Sequence, residues 1–175
     1  MTDTRDAVLR ALRRTRQVRS FTDEPVAEAD IQAILEVMRW TGSSQNLQPW
    51  RFIVIRDPQV RRRIAELCCH ARHVRNAPLA IAIEMSRIAD DDSEDYDEGR
   101  VAERILIAAG AMDLGAGIGW AEAGDQPAVG ELLGVEPPAF VRTIMSIGHP
   151  TEEARRPRTG PGTGRRPLSE FVREP

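Results

Sequence analysis

The stretch VAERILIAAGAM, residues 101 to 112, constrains the fold of this chain more than any other. Val101, Ile105, Ala108, Ala109 and Met112 recur at helical spacing, and the stretch lacks a polar face. An Ala-rich helix of that kind has to be covered by other elements, so it is expected to form the spine of one core. A chain of 175 residues fits a single domain and can bury roughly two-thirds of its unfolded surface.

The covering elements follow from the same reading. Residues 3–14 predict a helix with Val8, Leu9 and Leu12 on one face. A second helix is expected from Glu28 to Trp40, with Ile31, Ile34, Leu35 and Met38 inward, Asp30 in its first turn and Gly42 ending it. Three short apolar runs read as buried strands: Phe52 to Ile55, PLAIAIEM, and VRTIMSIGH. Asp57-Pro58 starts a third helix reaching about His70, and AVGELLGV a short one ending at Gly134. ADDDSEDYDEG is expected to be solvated, and LGAGIGWAEAGDQP to be a glycine-rich turn region. The Pro/Gly/Arg-rich end, from residue 151, is too polar to hold a core of its own.

Composition excludes several classes. Net charge is −3, so no global basic field recruits nucleic acid. No apolar run approaches the roughly 18 residues of a membrane span, and the N-terminus lacks the apolar core of a secretion signal. The only cysteines, Cys68 and Cys69, are adjacent and badly placed to bridge, which points to a reducing, cytoplasmic setting. Every basic residue is arginine, which removes the Gly-Lys phosphate loop and any lysine Schiff base, and leaves guanidinium forks as the only tool for anions.

Four motifs carry chemistry, each beside a plainer reading. Arg14, Arg16 and Arg19 flank a turn where they could converge on a phosphate with Thr15 and Gln17, or simply face solvent. In TGSSQNLQPW, Ser43, Ser44, Asn46 and Gln48 could read the edge of a planar heterocycle with Trp50 nearby, or serve a helix cap and turn. Gly115, Gly117 and Gly119 follow a helix and precede Trp120, which rules out a dinucleotide fingerprint. They would allow close approach to a flat ligand, or make an ordinary turn. CCHARH gathers Cys68, Cys69, His70 and His73, but adjacent cysteines lack chelating spacing, so a buried thiol pair is expected and no metal site. No nucleophile elbow or HExxH is present.

Taken together and in order, TRQVRSF, GSSQNLQPWRFIVI, AAGAMDLGAGIGWAE and SIGHP with GRRPLSEF resemble the nitroreductase-like flavoprotein family over nearly the whole chain. The resemblance implies an α+β fold with a central mixed or antiparallel sheet surrounded by helices. It further implies an intertwined homodimer with one FMN at each of two interfaces. Residues 1–150 would form the FMN-binding domain and 151–175 an arm of it laid on the partner subunit. Arg16 and Arg19 match phosphate-binding positions, with Thr15 and Gln17 where the family has Arg and Ser. Ser43, Ser44 and Asn46 match residues reaching the flavin from the partner. Trp120, Ala121 and Glu122 match the backbone against the isoalloxazine, and Arg165 or Arg166 the tail's phosphate contact.

The implied function is an FMN-dependent NAD(P)H oxidoreductase, with NADH or NADPH as donor. Its acceptor would be a small nitroaromatic, quinone or related electron-poor molecule, and no catalytic side chain is required. The alternatives are a flavin-storing or redox-sensing protein, an oxygen-dependent flavin-cleaving enzyme of the same fold, and a flavin-free scaffold. No membrane or nucleic-acid partner is expected.

Overall fold

The computed structural model describes residues 3–87, 93–156 and 164–174. In chain order the elements are α1 (Thr4–Arg14), α2 (Glu28–Arg39), a 3₁₀ turn (Ser44–Asn46), β1 (Trp50–Ile55) and α3 (Pro58–Leu67). There follow a 3₁₀ segment (Cys69–Asn76), β2 (Leu79–Met85), α4 (Ser93–Ala111), β3 (Gly115–Trp120), α5 (Gln126–Leu133), β4 (Phe140–Gly148) and α6 (Glu152–Arg155). The four strands form one sheet in the order β1-β2-β4-β3, antiparallel throughout, and the fold class is α+β.

The two-residue period of β2 divides the core. Leu79, Ile81, Ile83 and Met85 pack with Ile31, Ile34 and Met38 of α2 and with Val101, Ile105 and Ala109 of α4. Ala80 and Ala82 on the opposite face meet Ile64 of α3, Ala71 and Val74 of the 3₁₀ segment and Val129 of α5. The sheet is therefore covered on both faces, and α4 is the expected spine, since its small Ala102, Ala108 and Ala109 let it lie close. Helix α1 has an apolar face, but none of its residues is buried; Val8, Leu9 and Leu12 stay exposed.

Several sequence expectations change. The glycine-rich region is strand β3, because Gly115 to Trp120 pair in register with β4. Its glycines are filled by the protein itself: a Cβ on Gly117 would meet the Val18 carbonyl, and one on Gly119 would lie 2.9 Å from Ala71 Cβ. The acidic segment is no solvated loop from Ser93 onward. It is the first part of α4, with Glu94, Asp97 and Glu98 buried; residues 88–92 lie outside the described part. Helix α3 stops at Leu67, where Cys68 turns extended, instead of running to His70. Helix α2 ends at Arg39 with Trp40 as its cap, two residues before Gly42. Strand β1 begins at Trp50, ahead of Phe52. Gly134 does cap α5 in the left-handed region, at φ 69°.

Candidate functional site

Chemistry gathers at the outer edge of β3. That strand pairs only with β4, so alternate amides point outward, and residues 15–19 run along them. Val18 N–H donates to the Ala116 carbonyl at 2.7 Å, and Ile118 N–H donates to Gln17 Oε1 at 3.2 Å. Gln17 Oε1 also accepts from Arg19 Nη2 at 2.8 Å, which fixes the guanidinium beside the strand. The 3₁₀ segment forms the facing wall. Between the two lies a cleft of about 530 Å³, lined by Gln17, Arg19, Ile118 and Trp120 on one side and by Cys69, His70, Arg72 and His73 on the other. Its size is within the roughly 300–1,000 Å³ of small-molecule and cofactor sites.

His73 is half-buried and both ring nitrogens are engaged. Nε2 lies 3.2 Å from the Ile118 carbonyl and Nδ1 2.9 Å from Ser146 Oγ. A carbonyl only accepts, so a proton is assigned to Nε2; the single Ser146 hydroxyl proton is shared between Nδ1 and the Gly117 carbonyl, 3.2 Å from Oγ. Burial pushes the His73 pKa below its ordinary value, while the bond to Ile118 opposes this in part. The imidazole is therefore neutral at neutral pH. The cleft's positive charge comes from Arg19 and Arg72.

His70 Nε2 lies 3.0 Å from Glu122 Oε1, which brings the loop after β3 to the cleft rim. Cys69, His70 and Glu122 place their potential ligand atoms within 4.8 Å of one another, all on exposed side chains. This trio differs from the Cys68, Cys69, His70 and His73 cluster the sequence suggested. The two cysteines also differ from the expected buried pair. Cys68 is buried, and burial pushes its thiol up to about 11, whereas Cys69 is exposed. A chromogenic disulfide reagent at pH 8 should consequently consume one thiol per native chain quickly and the second only in denaturant. Two fast thiols would contradict this placement.

Of the residues the sequence singled out, Gln17, Arg19 and Trp120 line the cleft and Glu122 borders it. Ala121 is buried, its N–H donating to the Arg142 carbonyl at 2.8 Å. Thr15 and Arg16 are turned elsewhere. The Thr15 hydroxyl donates to the Ala11 carbonyl, and the Arg16 guanidinium caps α6 through the carbonyls of Ala154, Arg155 and Arg156. Ser43, Ser44 and Asn46 precede β1, at the opposite edge of the sheet from β3. There Ser43 Oγ accepts from Gln48 N–H at 2.8 Å, and Ser44 N–H donates to Asp97 Oδ2 at 2.9 Å. Asn46 adopts the left-handed region at φ 57°. Arg166 pairs with Glu170 and lies over the Phe171 ring, and Arg165 is exposed beside it; residues 157–163 of the expected arm lie outside the described part. Sequence reasoning missed Cys69, His70, Arg72 and His73 as cleft residues. The available signal was a run of basic and imidazole side chains between a helix and Pro78.

An edge-strand cleft with two arginines, an exposed indole and a carboxamide braced on the strand, set on an α+β scaffold, is a cofactor-sized site. The nitroreductase family profile matches residues 12–71. A protein of Archaeoglobus fulgidus, provisionally named an NADH dehydrogenase/NAD(P)H nitroreductase, is 30% identical over 79% of this chain and 82% of its own length. The FMN reductase [NAD(P)H] of Bacillus subtilis is 27% identical over 86% of this chain and 69% of its own. Among solved structures, a provisionally named nitroreductase from Desulfovibrio desulfuricans in complex with FMN superposes with a TM-score of 0.81. It is 31% identical and covers 96% of each chain. The chain belongs to the nitroreductase family.

Proposed function

We propose that the chain is an FMN-dependent NAD(P)H oxidoreductase whose acceptors are nitroaromatics, quinones or related electron-poor molecules. The observation that carries this reading is the cleft at β3. It offers a flat ligand the exposed Trp120 indole, the Gln17 carboxamide braced on the strand edge, and the two arginines Arg19 and Arg72. FMN-linked names among the relatives support the same cofactor.

In this reading Gln17, Arg19, Arg72 and Trp120 border the isoalloxazine and Arg165 or Arg166 reaches the phosphate, while Arg16 stays committed to the carbonyls of Ala154, Arg155 and Arg156. Held there, FMN would supply the hydride and two-electron transfer chemistry that this fold's side chains lack. Arg19 and Arg72 supply positive charge where the reduced ring becomes negative. His73 stays neutral and fixes the Ile118 carbonyl, which keeps the strand edge from twisting. Ser43, Ser44 and Asn46 lie at the far edge of the sheet, so they complete a site only on a second copy of the chain. The exposed Val8, Leu9 and Leu12 of α1, and Leu168 and Phe171 of the tail, supply apolar surface for an intertwined homodimer, with residues 151–175 as an arm on the partner.

The test is a visible spectrum of protein incubated with FMN and desalted, followed anaerobically before and after NADH or NADPH. Retained colour that bleaches on donor addition supports the oxidoreductase. Colour that persists with donor points to flavin storage, and absence of retained colour removes the cofactor assignment. Light scattering on the same sample should give twice the chain mass.

A further inference from the structure

A second cavity, of about 470 Å³, shares Arg19 with the cleft but no other lining residue. Its walls come from the strip after Arg19, the first turn of α3 and the end of the 3₁₀ segment. Four arginines line it, Arg19, Arg61, Arg62 and Arg75, against one aspartate, Asp23. Among the described residues none of these four arginines forms an ion pair. That imbalance is unusual in a chain with a net negative charge.

Arg61 makes the cavity more than a cluster of surface charge. It is 7% exposed, a charged side chain taken almost wholly out of water. Its guanidinium has one hydrogen bond, from Nη1 to the Arg56 carbonyl, and its buried Nε–H has no partner. Burial pushes its pKa below the ordinary arginine value. The Asp57 charge at the start of α3 favours the guanidinium in part, but its carboxylate accepts from Gln59 N–H at 2.7 Å and makes no hydrogen bond to Arg61. A buried guanidinium with most of its donors uncommitted is unfavourable unless an anion completes its shell.

We propose that this cavity is a second anion site, separate from the flavin cleft, that takes a phosphate-bearing ligand. Guanidinium forks match phosphate oxygens two at a time, and three of them against one carboxylate suit a dianion better than a carboxylate. The volume exceeds that needed by a single phosphate group, so the ligand is a pyrophosphate or a phosphate on a larger molecule. Arg19 borders both cavities, but its guanidinium is held toward the cleft by Gln17 and the Ile118 carbonyl, so the anion here is held by Arg61, Arg62 and Arg75.

The experiment is calorimetric titration of inorganic phosphate and pyrophosphate into the purified full chain, at low ionic strength and with chloride minimised, with and without FMN present. One site per chain with micromolar to submillimolar pyrophosphate affinity is expected, unchanged by FMN. The Arg62→Gln/Arg75→Gln pair, exposed and outside the flavin cleft, should weaken pyrophosphate at least tenfold while flavin retention stays the same. Arg61→Met should do the same and, with no charge left to bury, should not lower the melting temperature by more than a few degrees. Absence of binding to the parent chain, equal binding by the double variant, or displacement of pyrophosphate by FMN would overturn the proposal. Because the titration also runs without FMN, failure of the flavin reading leaves it intact. The source of the phosphate is separated by donor kinetics. A KM increase for NADPH but not NADH in the double variant identifies the dinucleotide. Unchanged KM values alongside lost pyrophosphate binding identify another phosphorylated small molecule.

Discussion

Arg142→Met is expected to destabilise the protein by about 3–5 kcal/mol, the effect of leaving a buried carboxylate without its counter-charge. Arg142 stands on β4 and bonds both Glu98 and Asp95 of α4. The Glu98 side chain is 3% exposed; Arg142 donates to its Oε2 and its Oε1 has no hydrogen-bond partner, so among the described residues Arg142 alone offsets its burial. Asp95 is half-exposed and contributes no more than about 1 kcal/mol, as surface pairs do. The discriminating measurement is a denaturant midpoint on a double-variant cycle. Glu98→Gln added to Arg142→Met should recover much of the loss, since no charge is then buried. A single-variant loss under 1 kcal/mol would sink this account.

The same arginine reaches the site. Its guanidinium lies 5.3 Å from the Trp120 ring centroid and 5.7 Å from that of Phe140, so its removal frees the indole at the cleft mouth. Flavin retention should fall even in variants rescued for stability. The Asp95 carboxyl is held below its usual range mainly by the hydrogen bond from Arg142. A depressed carboxyl stabilises the fold above its unfolded value of about 3.9, and the gain is lost as pH falls through the lower folded value. Acid unfolding of the Arg142 variant should accordingly lack that component.

Gly117→Ala is the second large effect. Its Cβ would approach the Val18 carbonyl oxygen far inside van der Waals contact, with Arg19 Cγ at 3.0 Å and Ser146 Oγ at 3.1 Å. Backbone cannot swing away as a flexible side chain would, so the strip carrying Gln17 and Arg19 has to lift from β3. Overpacking of this kind costs about 1–3 kcal/mol. The larger consequence is for binding, because the two residues that move line the cleft; retained FMN per chain should drop below half. Gly99→Ala is the control. Gly99 lies within α4 with open space around its Cβ position, and alanine there should add about 0.5–1 kcal/mol. Equal flavin retention in Gly117→Ala and the parent would contradict the close approach.

The parts of the fold legible in the sequence are those whose local pattern and burial agree. WRFIVI, LAIAIEM and FVRTIMSIG carry enough β-branched residues to read as strands, and α4 announces its burial through alanines. Strand β3 was illegible because GAGIGW has a single β-branched residue, Ile118. Its extended state is imposed by β4 on one side and residues 15–19 on the other. The burial of Glu94, Asp97 and Glu98 was hidden for a similar reason, since the arginine that neutralises Glu98 lies 44 residues away. Within the site, Gln17, Arg19 and Trp120 were readable from ordered motifs. Cys69 to His73 were not, because a helix that breaks at Cys68 looks in sequence like one that continues.

The strip at residues 15–19 seals β3 through three bonds near the cleft: Val18 N–H to Ala116, Ile118 N–H to Gln17 and the Arg19 guanidinium to the Ile118 carbonyl. It is at once the lateral support of the sheet and one wall of the cleft. Occupancy and fraying of that edge therefore belong to a single equilibrium, in which a bound ligand lowers the open population by the factor 1 + [L]/Kd. The amide protons of Val18 and Ile118 should report affinity directly through their exchange with solvent deuterium, with no chromophore or turnover required.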